Sequence, residues 1–224
     1  MEVNEMQKYN IAHKIQTSFD FTSLIVKLDN LDIDPNIKHV KYVLSPDNNP
    51  EFLPILEKFQ IAIIDFEGSP VFLFGIGIDD TIMTYYIESY HHKTKFILAI
   101  FSLLNLIKDL TLFSFSDHER LELLKMHAYL KTQDCDVSAF EFISSLPIIN
   151  LQDTHSRFES LQEAIYSINI ASVRLTGDAL LRNNKLIDRL FAAKKFKEII
   201  AHNRNCLLNE SILFQKRWYR NYKL

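Results

Sequence analysis

The sequence predicts an α/β domain in which a mixed β-sheet is flanked by α-helices. Three apolar runs rich in β-branched and aromatic residues follow Gln60 and are separated by short turns, which is typical of an antiparallel meander. Longer helical segments follow, with one further strand between the first two of them. A chain of 224 residues, of which 47% are hydrophobic and 24% charged, fits one domain that needs no disulfide bonds.

The region before the meander has little pattern. Short apolar stretches at 21–28 and 40–44 are separated by clusters of Asp, Asn and Pro. We therefore predict that residues 1–57 form an N-terminal extension packed on a main domain of residues 58–224.

The main domain is predicted element by element. The meander has strands at 61–67, 71–78 and 81–87. The stretch 93–110 is apolar on all sides, as expected for a helix covered by its neighbours, and 110–115 is a fourth strand. An acidic first turn predicts a helix over 117–131. Further, mostly helical segments are predicted at 139–145, 160–168, 183–194 and 197–219.

Composition excludes several classes of protein. The chain has two cysteines, Cys135 and Cys206, with no CxxC motif, which argues against a disulfide scaffold or a zinc finger and suits a reducing compartment. The longest apolar run, Phe96–Ile107, is too short to cross a bilayer. The first ten residues are polar and contain no apolar signal region. We therefore expect a soluble, cytoplasmic protein with no membrane partner.

Charge is distributed unevenly along the chain. Residues 182–224 contain eleven Lys/Arg and three Asp/Glu, a net charge of +8, whereas the first 181 residues carry −11. The basic segment could follow a nucleic-acid backbone, or it could be a solvated helix face. Trp218 and Tyr219 lie among its charges and could stack on bases or pack on the core. The candidate nucleic-acid contacts are Arg204, Lys216, Arg217 and Arg220.

Two acidic side chains end the first strand of the meander. Asp65 and Glu67 are two residues apart, so both point to the same face of the strand. Two carboxylates this close repel each other unless a cation lies between them or one is protonated. Hard divalent cations prefer oxygen ligands, so the pair suggests Mg²⁺ or Mn²⁺. The alternative is a strand end at which both acids are hydrated.

A second acidic cluster follows the fourth strand. Asp117 and Glu119 lie where this strand ends and the next helix begins. Acids are favoured in a first helical turn in any case, so in isolation ordinary helix-start chemistry is the simpler explanation of both.

Together these segments resemble the RNase H-like 3′–5′ exonucleases of the DEDD superfamily. IAIIDFEGSPVFLFGIGIDD resembles the first motif of that group, a strand that ends in Asp-x-Glu and turns through Gly into a second strand. LFSFSDHERLELL resembles the second motif, and KEIIAHNRNC resembles the last, usually written IIxYNxxD. The resemblance covers about residues 59–218.

The resemblance implies both a fold and an activity. It implies that the main domain, residues 58–224, is an RNase H-like nuclease domain. Such an enzyme would hydrolyse phosphodiester bonds of DNA or RNA from the 3′ end, using two Mg²⁺ or Mn²⁺ ions. Asp65, Glu67 and Asp117 would hold the metals, and Glu119 could replace Asp117 as ligand. The alternative is a catalytically impaired RNase H-like module that binds nucleic acid or another protein.

The last motif departs from the pattern of the group. His202 stands at the Tyr position, and Cys206 stands at the position of the metal-binding Asp. Cysteine is a poor ligand for Mg²⁺ because sulfur is soft and the ion is hard. His202 is a candidate for orienting the attacking water, since histidine can act as a base near neutral pH. The candidate substitute ligands are Cys206 itself, Asn205 beside it and Glu210 one helical turn further on.

Overall fold

The structure is a computed structural model that describes residues 19–45, 60–152, 160–167, 180, 184–214 and 217. The strands in these ranges are β1 (Ile37–Val43), β2 (Ile61–Glu67), β3 (Leu73–Ile78), β4 (Thr81–Ile87), β5 (Thr111–Ser114) and β6 (Ile148–Asn150). The α-helices are α1 (Phe21–Asp29), α2 (Lys93–Ile107), α3 (His118–Thr132), α4 (Leu161–Ser167), α5 (Asn184–Ala192) and α6 (Phe196–Leu213). Short 3₁₀ helices cover Tyr90–His92 and Ser138–Ser145.

The strands form one mixed sheet in the order β1-β4-β3-β2-β5-β6. Strands β2, β3 and β4 form the antiparallel meander, and β1 extends it by pairing antiparallel with β4. On the other side, β5 is parallel to β2 and β6 is parallel to β5. The prediction of an α/β fold with a mixed sheet and flanking helices is therefore confirmed. Within the described ranges, every helix is too short or too polar to cross a bilayer.

Strand β2 lies near the middle of the sheet and is buried along its whole length. Its side chains alternate between two apolar clusters, as the pleat requires. Ile61 and Ile63 belong to a cluster with residues of α4 and α6, whereas Ala62 and Ile64 belong to a cluster with residues of α2 and α3. The same alternation places Asp65 on the side of the sheet covered by α6.

The N-terminal residues are more closely joined to the domain than their sequence suggests. Strand β1 pairs with β4 over its full length, so residues 37–43 complete one edge of the main sheet. Helix α1 packs against α2 through an apolar face that includes Leu24 and Leu28. The described part of the 1–57 extension therefore contributes to the same sheet and core as the main domain.

Candidate metal centre

The end of β2 holds the first two acidic residues of the site. Asp65 is 9% exposed and Glu67 is 6% exposed, so neither lies at a hydrated strand end. Gly68 follows with a φ of +92°, and a Cβ there would lie 2.3 Å from the ring of Phe72. Glycine is therefore required for the chain to turn directly after Glu67.

An amide from α6 fixes the carboxylate of Asp65. The Nδ2 atom of Asn203 donates a 2.8 Å hydrogen bond to Oδ2 of Asp65, and its Oδ1 accepts a 3.2 Å hydrogen bond from Thr84. Asp65 and Thr84 lie opposite Gly75 on the two strands that flank β3. A Cβ on Gly75 would lie 2.2 Å from Oδ1 of Asn203, so only glycine leaves room for this amide.

Asn203 was not among the site residues predicted from the sequence. It lies inside the stretch that resembles the last motif, directly after His202. A glycine in the middle of an apolar strand signals close approach by another group, and Gly75 is such a glycine.

At the start of α3, Glu119 is buried and Asp117 is exposed. Asp117 is exposed at the N-cap of α3, and its side chain makes no capping hydrogen bond. Glu119 is 4% exposed and interacts electrostatically with Asp65. Strand β5 is parallel to β2, so the chain leaves β5 for α3 at the same edge at which β2 ends.

Helix α6 contributes a fourth acid. Glu210 is 1% exposed and is repelled by Asp65, Glu119 and Glu67. It lies two helical turns after His202 and one turn after Cys206, on the same face of α6. Asn205, the other predicted substitute, is only partly buried.

Burial and mutual repulsion perturb these acids strongly. Burial raises the pKa of Asp65 to about 6, against the opposing effects of His202 and of the hydrogen bond from Asn203. Burial and the charge of Asp65 raise the pKa of Glu119 to about 8. Burial and the three neighbouring acids hold the pKa of Glu210 well above its usual value. The cluster therefore resists full ionisation in the absence of a cation.

The donor atoms of this cluster are oxygens, the type of ligand that a hard divalent cation prefers. Oε2 of Glu119 and Oε2 of Glu210 are buried and have no hydrogen-bond partner among the described residues. Buried carboxylate oxygens without partners are costly, and metal coordination is one way to satisfy them. Oxygen ligands of this kind suit Mg²⁺ or Mn²⁺. Asp65, Glu67, Glu119 and Glu210 are thus candidate ligands for such ions. Among the described residues, however, the three ligand atoms found within 4.8 Å of one another are those of Glu67, His202 and Cys206.

His202 and Cys206 add a nitrogen ligand and a sulfur ligand beside Glu67. Nε2 of His202 lies 3.4 Å from Oε1 of Glu67 and 3.7 Å from Sγ of Cys206. All three residues are buried, and their ligand atoms lie within 4.8 Å of one another. The position that resembles a metal-binding Asp therefore lies at the site but carries a thiol.

The predicted nucleic-acid contacts are only partly covered by the structure. The guanidinium of Arg204 lies over the ring of Tyr42, 4.5 Å from its centroid. Arg217 donates a 2.9 Å hydrogen bond to the carbonyl of Leu151. Lys216 and Arg220 lie outside the described residues, as do Trp218 and Tyr219.

Comparison with known proteins identifies no relative of this chain. No family model, curated protein or solved structure matches the chain. The resemblance to DEDD exonucleases therefore stays a prediction from the motifs, and the function is inferred from the buried cluster itself.

Proposed function

We propose that this protein is a divalent-metal-dependent nuclease of the RNase H-like type that hydrolyses phosphodiester bonds in DNA or RNA. The observation that carries the proposal is the burial of four acidic side chains, Asp65, Glu67, Glu119 and Glu210, of which Glu210 is repelled by the other three. Such a cluster opposes folding unless protons or cations neutralise it. A cluster of hard oxygen ligands is what a site for Mg²⁺ or Mn²⁺ requires.

The positions of the three motifs support this proposal. The first motif supplies β2, the second supplies β5 and the start of α3, and the last supplies α6, which packs against β2, β3 and β4. Segments that are far apart in the sequence thus bring their polar residues to one end of β2. A mixed sheet flanked by helices is also what the RNase H-like assignment expects.

The roles of the individual residues follow from their positions. When bound, divalent ions would lower the pKa of the attacking water and stabilise the leaving oxygen. Asp65 and Glu67 would hold them from β2, Glu119 from α3 and Glu210 from α6. Asn203 fixes the orientation of Asp65 through its amide hydrogen bond. In this arrangement Glu119 takes the role that the sequence assigned first to Asp117.

A cleavage assay with matched variants tests the proposal. End-labelled single-stranded DNA and RNA are incubated with the protein in Mn²⁺, in Mg²⁺ or in EDTA. We expect metal-dependent shortening from the 3′ end by the wild type and by Asp117→Asn, and its loss in Asp65→Asn and Glu119→Gln. Cleavage that persists in EDTA, or that is unaffected by Glu119→Gln, would contradict the proposal.

One observation favours a second function. Cys206 replaces a hard acid at the last motif, which favours an RNase H-like module that binds nucleic acid without cutting it. Salt-sensitive binding of the same DNA and RNA, with no cleavage in either metal, would support this alternative.

A further inference from the structure

The cluster around Cys206 has a different chemistry from the carboxylates beside it. We propose that Glu67, His202 and Cys206 form a zinc site, which shares Glu67 with the hard-cation ligands Asp65, Glu119 and Glu210. The proposal rests on the positions of three ligand atoms and does not depend on nuclease activity.

Two of the three distances between the ligand atoms match a tetrahedral zinc ion. Zinc bonds of about 2.0–2.2 Å to nitrogen and oxygen and about 2.3 Å to sulfur place tetrahedral N and O about 3.4 Å apart and N and S about 3.6 Å apart. Nε2 of His202 lies 3.4 Å from Oε1 of Glu67 and 3.7 Å from Sγ of Cys206. The remaining pair, Oε1 or Oε2 of Glu67 and Sγ of Cys206, is no more than 4.8 Å apart.

The secondary structure holds these three groups in place. His202 and Cys206 are four residues apart on α6, so their side chains project from the same face of the helix. Glu67 faces them from the end of β2, against which α6 packs. All three are buried, so a metal there would be shielded from bulk water.

The donor set selects zinc over magnesium. Thiolate and imidazole are soft or borderline ligands that suit Zn²⁺, whereas Mg²⁺ requires hard oxygen ligands. Three protein ligands leave a fourth position open, as in catalytic rather than structural zinc sites. Glu210 lies one turn beyond Cys206 and is repelled by Glu67, so a cation at Glu67 would also relieve that repulsion.

The proposal changes the interpretation of two residues. Cys206 weakens a magnesium site, but it supplies the sulfur that a zinc site favours. His202 becomes a metal ligand in place of the water-orienting base predicted from the sequence.

Cobalt serves as the spectroscopic probe, because Co²⁺ takes the ligands of Zn²⁺ and absorbs visible light. Protein freed of metal with EDTA is titrated with Co²⁺ and then with Zn²⁺. We expect a thiolate-to-cobalt charge-transfer band that is complete at one equivalent of Co²⁺, together with the d–d bands of tetrahedral cobalt. Zn²⁺ should then displace the cobalt and remove these bands. Cys135 lies outside the cluster, so Cys135→Ser should retain the spectrum and serves as the matched thiol control.

Ligand variants decide the outcome. Cys206→Ser should lose the charge-transfer band, and both Cys206→Ser and His202→Gln should bind Zn²⁺ more than about 100-fold more weakly, since loss of an outer-shell partner alone costs 10–100-fold. Circular dichroism establishes that each variant is folded. An unchanged band in folded Cys206→Ser, or no band in the wild type, would overturn the zinc site whether or not the protein cleaves nucleic acid. A thiolate band in a protein that cleaves nothing would support the zinc site while the nuclease proposal fails.

Discussion

Replacing Glu119 by glutamine should stabilise the metal-free protein, and the gain should grow with pH. Glu119 is 4% exposed, and burial together with Asp65 raises its pKa from the usual 4.5 to about 8. The folded chain therefore keeps a proton that the unfolded chain loses. The resulting stabilisation is fully present below pH 4.5 and is lost as the pH rises towards 8. Glutamine has nearly the same shape and no charge at any pH, so it removes this loss.

The size of the effect follows from the pKa shift. Each pKa unit corresponds to about 1.4 kcal/mol, so from pH 5 to pH 7.5 the wild type should lose about 3 kcal/mol of unfolding free energy through Glu119. The difference between Glu119→Gln and the wild type should grow by the same amount over this range.

Urea unfolding in EDTA at pH 5 and pH 7.5 measures the effect. Asp117→Asn is the matched control, because Asp117 is exposed two residues earlier at the start of α3. Its substitution should change stability by less than about 1 kcal/mol, and equally at both pH values. A Glu119→Gln advantage that does not increase with pH would refute the reasoning. If the stability advantage of Asp117→Asn increased with pH in the same way, the buried charge would belong to Asp117 and not to Glu119.

Three further predictions concern the residues around the cluster. Mg²⁺ or Mn²⁺ at about 100 times its Kd should stabilise the wild type by about 2.7 kcal/mol in thermal melts, and Asp65→Asn should abolish the effect. Gly75→Ala would force a Cβ to within 2.2 Å of Asn203 and should cost about 1–3 kcal/mol in urea unfolding. Gly77→Ala, whose Cβ would meet nothing closer than 3.9 Å, should cost nothing. Cys206→Asp supplies a hard oxygen ligand, so melts in each ion should show more stabilisation by Mg²⁺ and less by Zn²⁺ than in the wild type.

The central strands could be predicted from the sequence, whereas the edge strands could not. Strands β2, β3 and β4 are buried almost throughout, so their apolar runs are long and clear. Strand β1 is exposed at most positions because it lies at the edge of the sheet, and its polar residues hide the pattern. Strand β6 has three residues, too few to show any periodicity. The segment predicted as a helix at 139–145 is a 3₁₀ helix.

The acids of the site could also be predicted only in part from the sequence. Asp65 and Glu67 share a face because they are two residues apart in a strand, which is visible in the sequence. Asp117 and Glu119 are also two residues apart, but in a helix that spacing turns the side chain by about 200°. One of them must therefore face the sheet while the other faces solvent, and only the packing of α3 decides which. The role of Glu210 likewise depends on which face of α6 meets β2.

The described residues offer these buried acids little positive charge beyond His202, whose Nε2 lies 3.4 Å from Oε1 of Glu67 and which lowers the pKa of Asp65. The guanidinium of Arg204 lies over the ring of Tyr42, and that of Arg217 donates to the carbonyl of Leu151. Asn203 brings only a neutral amide to Asp65. Protonation can neutralise the cluster, but the protons are lost as the pH rises. The stability of the protein then falls. A divalent cation neutralises the acids once they are ionised, and it also allows a phosphate group to approach, which bare carboxylates would repel. If metal restores at pH 7.5 the stability that protonation provides at pH 5, the cluster is a cation site; if it does not, the buried acids are neutralised by protons alone.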